Sequence, residues 1–215
     1  MSNEDLMRTV NEELSFDPKV DSAAIAVSAS SGEITLRGTV GSFRQKREAK
    51  RDVERVQGVT SVRNELEVLI LGKHRREDAD LRGDVLRALV LDSLVPATVD
   101  ATVEDALVWL TGSAKWQYQR EEAERVATSV PGVLDVFNEI VLKPGPRAAD
   151  IEHAIKKALI RNAQLDASRI SVTTSNGIVK VQGIVHSWTE HNAAVSAAWA
   201  APGVTDVDDG ILIEN

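Results

Sequence analysis

Two groups of side chains in this sequence have residue types from which a reactive site could be built. Asp206, Asp208 and Asp209 offer oxygen ligands for a hard cation within four residues. Four histidines could bind zinc or act as general bases: His74, His153, His186 and His191. Their spacing matches no His-Glu-x-x-His motif, and the chain has neither a Gly-x-x-x-x-Gly-Lys phosphate loop nor a Gly-x-Gly-x-x-Gly turn. We therefore expect no enzyme: no catalytic residue, no metal site and no cofactor.

A third group is basic and lies between residues 44 and 55. Three acids lie among its six cations. The cations are Arg44, Lys46, Arg47, Lys50, Arg51 and Arg55. On a helix, Arg44, Arg47, Arg51 and Arg55 fall opposite the apolar positions and form an outward stripe. Such a stripe can contact an anionic surface, and the alternative is a solvated helix face laced with ion pairs.

The composition limits the functions that these groups can have. The chain has 25 Lys+Arg against 33 Asp+Glu, a formal net charge of −8 and a pI near 5.1, which argues against nucleic-acid binding. With no cysteine, disulfides and thiolate metal sites are excluded. No apolar run reaches the roughly 18 residues of a membrane-spanning helix, and the acidic N-terminus does not resemble a signal peptide. We expect a cytoplasmic location, or a periplasmic one if a leader has been removed.

Glycines at a fixed spacing show that the sequence is a threefold repeat. Each of three glycines is followed twenty residues later by a second glycine and then Val, giving the pairs Gly38/Gly58, Gly112/Gly132 and Gly183/Gly203. An Asn or Asp stands six residues after the second glycine: Asn64, Asn138 and Asp209. The second glycine is expected to end a helix in the left-handed region. The aspartate cluster is not shared by the other copies, which favours a solvated turn over a cation site.

Apolar periodicity assigns the elements between these glycines. Each copy reads as helix, strand, strand, helix, strand, with apolar residues four apart in the helices and two apart in the strands. The fold class is therefore α+β: three tandem αββαβ modules, at 1–72, 79–143 and 148–215, each with two helices packed on a three-stranded sheet. The first and third hairpins carry Gly and Asn in their turns, whereas the second has Val103-Glu-Asp-Ala106. We expect the second hairpin to be the least regular.

The repeat resembles the BON domain family, whose modules share this element order, a glycine closing the second strand and a Gly-Val-x-x-Val-x-Asn turn into the last strand. All three copies carry that turn, with Asp209 replacing Asn in the third. The resemblance implies non-enzymatic modules that contact phospholipid surfaces, often in periplasmic or envelope stress proteins. It also implies that some members bind a small ligand or an ion such as potassium.

The third copy differs from the others by an apolar helix face. Val195 and Trp199 are four residues apart on one side of its second helix, and Trp188 lies near the start of that helix. These side chains either form a face covered by another repeat or by a partner, or fill a gap in an alanine-rich core.

Three functions remain open on the sequence. The first is peripheral contact with anionic phospholipid or envelope components in osmotic stress, through the basic helix of the first copy. The second is a cytoplasmic protein-interaction or self-association scaffold that uses the Trp199 face. The third is a sensor for an ion or small ligand, such as potassium.

Overall fold

The structure is a computed structural model that describes residues 2–69, 76–143, 151–161 and 167–214, and it contains one order of elements three times. The first repeat consists of α1 (Asn3–Phe16), β1 (Ile25–Ser30), β2 (Glu33–Val40), α2 (Phe43–Arg55) and β3 (Ser61–Val68). The second consists of α3 (Asp78–Leu91), β4 (Val99–Glu104), β5 (Leu107–Ala114), α4 (Gln117–Thr128), β6 (Asp135–Asn138) and β7 (Val141–Leu142). The third consists of α5 (Ile151–Arg161), β8 (Ile170–Ser175), β9 (Ile178–Val185), α6 (Trp188–Trp199) and β10 (Asp206–Ile213). The predicted α+β class and the threefold repeat are confirmed.

The three sheets share one mixed topology. The middle strand of each pairs antiparallel with the strand before it and parallel with the strand after it, in the orders β1-β2-β3, β4-β5-β6 and β8-β9-β10. The parallel pairing follows because a helix connects the middle strand to the last one. In the second repeat, β7 also pairs with β5.

The helix positions that the periodicity marked as apolar form the cores. Buried residues of the first helices are Leu6, Val10, Leu14, Leu81, Val85, Leu89, Ile155 and Leu159. Buried residues of the second helices and their C-terminal ends are Ala49, Val53, Val56, Ala123, Ala127, Val130, Ala194, Ala198 and Ala201. Each repeat therefore buries one face of its sheet under two helices, as predicted.

The first glycine of each pair lies inside the middle strand, beside the start of the first strand, and does not close the middle strand as expected, because the strand continues for two more residues. At Gly38 the φ angle is +124°, and a Cβ would overlap the carbonyl oxygen of Ala24. Gly112 and Gly183 have positive φ angles as well, and a Cβ would meet Thr98 or Arg169 in the same way. The second glycines, Gly58, Gly132 and Gly203, have φ angles of +94°, +104° and +88°, which confirms the predicted left-handed conformation. They do not end the helices, because α2, α4 and α6 end at Arg55, Thr128 and Trp199 and each glycine lies in the turn that follows.

The second hairpin is as regular as the other two, so the expectation of an irregular turn was wrong. All three hairpins have two-residue turns with both φ angles positive, and in the second these residues are Asp105 (+51°) and Ala106 (+61°). Asp78 at the start of α3 accepts hydrogen bonds from both backbone N–H groups, at 2.8 and 2.9 Å. This carboxylate holds a turn that lacks the glycine of its counterparts.

The last strands depart from the prediction in two repeats. In the second repeat the strand is interrupted between β6 and β7, whereas β3 and β10 run for eight residues each. In the third repeat Asp206, Asp208 and Asp209 lie within β10 and not in a turn. Because successive side chains on a strand alternate between its faces, Asp208 and Asp209 point to opposite sides of the sheet.

The chain divides into two compact units. The first comprises Met1–Ala114 and Tyr118–Val141, and thus holds most of the first two repeats. The second comprises Lys115–Gln117 and Leu142–Asn215. His74 and the predicted boundaries at residues 72 and 148 lie outside the described residues.

Candidate anion-contact surface

Helix α2 is the element that presents the predicted basic residues. The Ser42 side chain caps its N-terminus by accepting a hydrogen bond from the Gln45 N–H at 3.3 Å. Ala49 and Val53 are fully buried against the sheet. This packing fixes the rotation of the helix and turns Arg44, Lys50, Arg51 and Arg55 toward solvent.

The ion pairs on α2 have their cations outermost. Lys50 pairs with Glu54 at 3.5 Å, Arg51 with Glu48 at 3.2 Å, and Arg55 with Asp52 at 2.6 Å. The three cationic side chains are 49%, 53% and 56% exposed, whereas their acidic partners are 14%, 16% and 0% exposed. The acids lie beneath the cations, so the outer layer of the helix is positive.

Arg47 does not belong to the free outward stripe in which the sequence placed it. It is half-buried, and its Nη1 lies 3.2 Å from Glu124 Oε1 on α4 of the second repeat. This nitrogen has no hydrogen bond with acceptable geometry. The wheel projection missed the contact because a single helix does not show which surface a neighbouring repeat covers.

A cleft of about 90 Å³ opens beside this contact between the two repeats. Its cationic lining is Arg44, Arg47 and Arg51 from the first repeat and Arg125 from the second. Arg125 is itself ion-paired with Glu122 and with Asp92. Sequence reasoning missed Arg125 because the surrounding helix is acidic overall. Arg44 and Lys46 form no ion pair within the part of the chain that the structure describes.

Asp52 is the most unusual acid beneath the basic surface. Its side chain is fully buried, and Oδ2 has no hydrogen-bond partner in the described structure. Burial raises the pKa of Asp52 to about 6, against the lowering effect of Arg55. Carboxylates of Glu13, Asp17 and Glu48 act in the same direction as burial.

The apolar residues predicted to form a second face lie partly within the third core. Val195 and Trp199 are half-buried and pack against the core of their own repeat. Trp188 is half-buried and meets the His191 ring edge-on, with the ring centroids 4.9 Å apart. Its Nε1 is buried without a hydrogen-bond acceptor among the described residues. The packing of Val195 and Trp199 matches the gap-filling alternative, whereas a face covered by another repeat or by a partner stays a prediction.

The Asn or Asp after the second glycine ties the last strand to the second helix. The Asn64 amide donates to the Lys46 carbonyl oxygen at 2.8 Å, and the Asn138 amide donates to the Arg120 carbonyl oxygen at 2.9 Å. An aspartate carboxylate has no N–H to donate, and Asp209 Oδ2 instead lies 2.8 Å from His191 Nε2 on α6. His191 and Asp209 thus have a structural role that the sequence did not reveal.

The described residues contain neither a metal-binding cluster nor a membrane-spanning helix. In residues 2–69, 76–143, 151–161 and 167–214, no group of three or more His, Asp or Glu side chains is arranged to hold a metal ion. None of the helices in these ranges has the length and apolar character needed to cross a bilayer.

Comparison with known proteins identifies the family. A model of the BON domain matches residues 2–69, 77–144 and 147–215. The chain belongs to the BON family. This BON protein is 30% identical over 144 residues to osmotically-inducible protein Y of Escherichia coli strain K12, a match that covers 63% of the chain and 72% of that protein. It is 30% identical over 117 residues to a 21 kDa hemolysin of Actinobacillus pleuropneumoniae, covering 52% and 60% of the two chains.

A solved structure is also similar at low identity. The C-terminal domain of CdsD, the structural protein of the Chlamydia trachomatis type III secretion system, is 13% identical with a TM-score of 0.28, covering the whole of both chains.

Proposed function

We propose that this BON protein acts in the stress response by contacting anionic phospholipid surfaces. The contact would use the basic surface, defined here as Arg44, Lys46, Lys50, Arg51 and Arg55 of α2 together with Arg125. The observation that carries the proposal is the layering of the ion pairs on α2, where the cations are about half exposed and their acids lie beneath. An approaching phosphate meets guanidinium and ammonium groups first, and can share them with the underlying carboxylates.

The expected affinity is modest and depends on salt. A basic residue near an anionic leaflet contributes about 1 kcal/mol, so a few accessible cations give a few kcal/mol of attraction. The net charge of −8 opposes the approach of the rest of the chain. Since exposed charges are screened over roughly 10 Å at 0.1 M salt, binding should weaken steeply as the ionic strength rises.

The stress assignment rests on the BON domains and on the relative named for its osmotic induction. Phospholipid contact is the activity that the family resemblance implies for such modules. The basic surface is the part of the described chain whose charge layering best suits that activity.

Vesicle flotation tests the proposal with matched variants. In the double variant Arg44→Gln/Lys50→Gln, two exposed cations of the basic surface are removed. The control Arg8→Gln/Arg87→Gln removes two cations with 68% and 72% exposed side chains from α1 and α3, and changes the net charge equally. We expect the wild type and the control to float with vesicles of about 30% anionic lipid at low salt, and the first variant to lose most of that binding.

Zwitterionic vesicles provide the reference, and none of the three proteins should float with them. Equal flotation of the two double variants would show that binding follows net charge alone. Absence of wild-type binding at low salt would overturn the proposed function.

A further inference from the structure

The face of the second sheet opposite its two helices carries an aromatic pair. Trp109 on β5 and Phe137 on β6 are register partners, and their rings stack with centroids 5.2 Å apart and planes inclined by 20°. Both side chains point away from the helices, because Val108 and Leu110 on β5 face the core. Phe137 is 42% exposed.

The other two repeats have polar side chains at the same register positions. The first repeat places Thr35 beside Arg63, and the third places Lys180 beside Asp208 with their charged atoms 3.6 Å apart. A polar or ionic pair therefore suits this position of the fold. The aromatic stack is a feature of the second repeat and not a requirement of the sheet.

Acidic side chains border the aromatic pair on both sides. Asp100 and Glu104 lie on the same face of β4, and Asp135 lies on the same face of β6. Arg82 from α3 pairs with Asp100 at 3.2 Å, leaving the Asp100 side chain 61% exposed. Glu104 is exposed, and strands β4, β5, β6 and β7 contain no Lys or Arg.

We propose that this face is a docking site for a basic amphipathic helix of a partner protein. Three strands about 4.8 Å apart give a surface roughly 10 Å wide, which matches the diameter of one helix. An apolar stripe on that helix would lie over Leu107, Trp109 and Phe137, and flanking Lys or Arg side chains would meet the acids at both edges.

Charge favours this occupant over a second copy of the chain. Two such faces packed on each other would bring their acidic edges together, and like charges at an interface are unfavourable. The inference goes beyond the proposed lipid contact, since it concerns a different repeat and a ligand of opposite charge.

Titration calorimetry with a synthetic helical peptide tests the site on the full chain. The probe is a peptide of about 15 residues with one leucine stripe flanked by lysines, and the control probe has glutamates in place of the lysines. The key variant is Trp109→Lys/Phe137→Asp, which introduces the pair of the third repeat and leaves the net charge unchanged. We expect it to bind the lysine probe at least tenfold more weakly than the wild type does.

A second variant, Trp109→Thr/Phe137→Arg, introduces the pair of the first repeat and gives an independent result if the first variant does not fold. Replacing Glu104 and Asp135 by Gln and Asn should also weaken binding, and the glutamate probe should not bind. Equal affinity of the wild type and a folded pair variant would overturn the proposal. So would absence of wild-type binding at about 1 mM probe, or a dimer of the free chain that the pair variants abolish.

Discussion

At the residue scale, the first repeat differs from the others by a buried charge beneath the basic surface. Asp52 occupies the position at which the second repeat has the buried Val126 and the third has Ala197, packed against its core. An apolar residue is therefore compatible with this position of the fold. The aspartate lowers the stability of the folded state when it is ionised, because burying a carboxylate costs free energy.

The pH dependence of stability tests this account. The pKa of Asp52 is about 6 in the folded protein against 3.8 in the unfolded chain. Its carboxyl therefore destabilises the fold above pH 6, and this destabilisation disappears as the pH falls from about 6 to 4. With about 1.4 kcal/mol per pKa unit, the change is up to about 3 kcal/mol.

Asp52→Asn removes the titration and keeps an oxygen for Arg55. Denaturant unfolding from pH 4 to 7.5 should show the variant more stable than the wild type at pH 7, with the difference vanishing toward pH 4. Comparison at each pH cancels the contributions of Asp5, Asp17 and Glu122, whose pKa values are lowered and which act in the opposite direction. A difference that does not vary with pH would contradict the raised pKa.

At the element scale, the second hairpin shows how the stability of a turn depends on glycine. Ala106 adopts φ +61°, a region that costs an L-residue with a Cβ about 1–2 kcal/mol. Ala106→Gly supplies the residue found at that point in the other two turns, and should raise the free energy of unfolding by about 1 kcal/mol. The reverse change in the third hairpin, Gly177→Ala, should lower it by at least as much, because the new Cβ would also lie 3.0 Å from the Gly203 carbonyl oxygen. Thermal or denaturant unfolding measures the stability of both variants. A lower stability of Ala106→Gly than of the wild type would contradict the inference that Ala106 is strained.

The sequence predicted elements well because local patterns determine them. The spacing of apolar residues located the helices. The left-handed conformation of Gly58, Gly132 and Gly203 was predicted correctly, although these glycines lie in the turns that follow the helices and do not end them. The second hairpin was misjudged because its turn is supported by Asp78, which lies 27 residues earlier in the chain. Support from a distant side chain leaves no signal in the turn sequence itself.

The candidate surface was less predictable because its properties arise between elements. A helical wheel identified the cations of α2, but it could not show that the acids lie beneath them or that Arg47 meets Glu124. Arg125 could be found only once α4 was placed beside α2. Similarly, the stacking of Trp109 on Phe137 depends on the register of two strands that a whole helix separates in sequence.

At the scale of the whole molecule, repeats that share one fold have different surfaces. The first repeat is basic on its second helix, and the second repeat is acidic around an aromatic pair. Arg47 and Glu124 connect these two repeats, and each side chain is about 70% covered. The pair should therefore contribute more than a fully exposed ion pair does.

A double-mutant cycle measures the interaction energy between Arg47 and Glu124. Arg47→Glu and Glu124→Arg should each destabilise the chain by about 1 kcal/mol, since each places like charges together. The double variant restores opposite charges and should recover about half or more of the summed loss. Additive losses in denaturant unfolding would show that the two side chains do not interact.

The central claim, that the basic surface is the part of the chain that meets lipid, can be measured directly with a single label. The chain has no cysteine, so Gln57→Cys, two residues after the end of α2, and Ser28→Cys, on the face of the first sheet opposite its helices, each provide one attachment site for an environment-sensitive fluorophore. With anionic vesicles at low salt, the account predicts a blue shift and protection from an aqueous quencher at residue 57 and neither at residue 28. Protection at residue 28 but not at residue 57, or at neither, would contradict it.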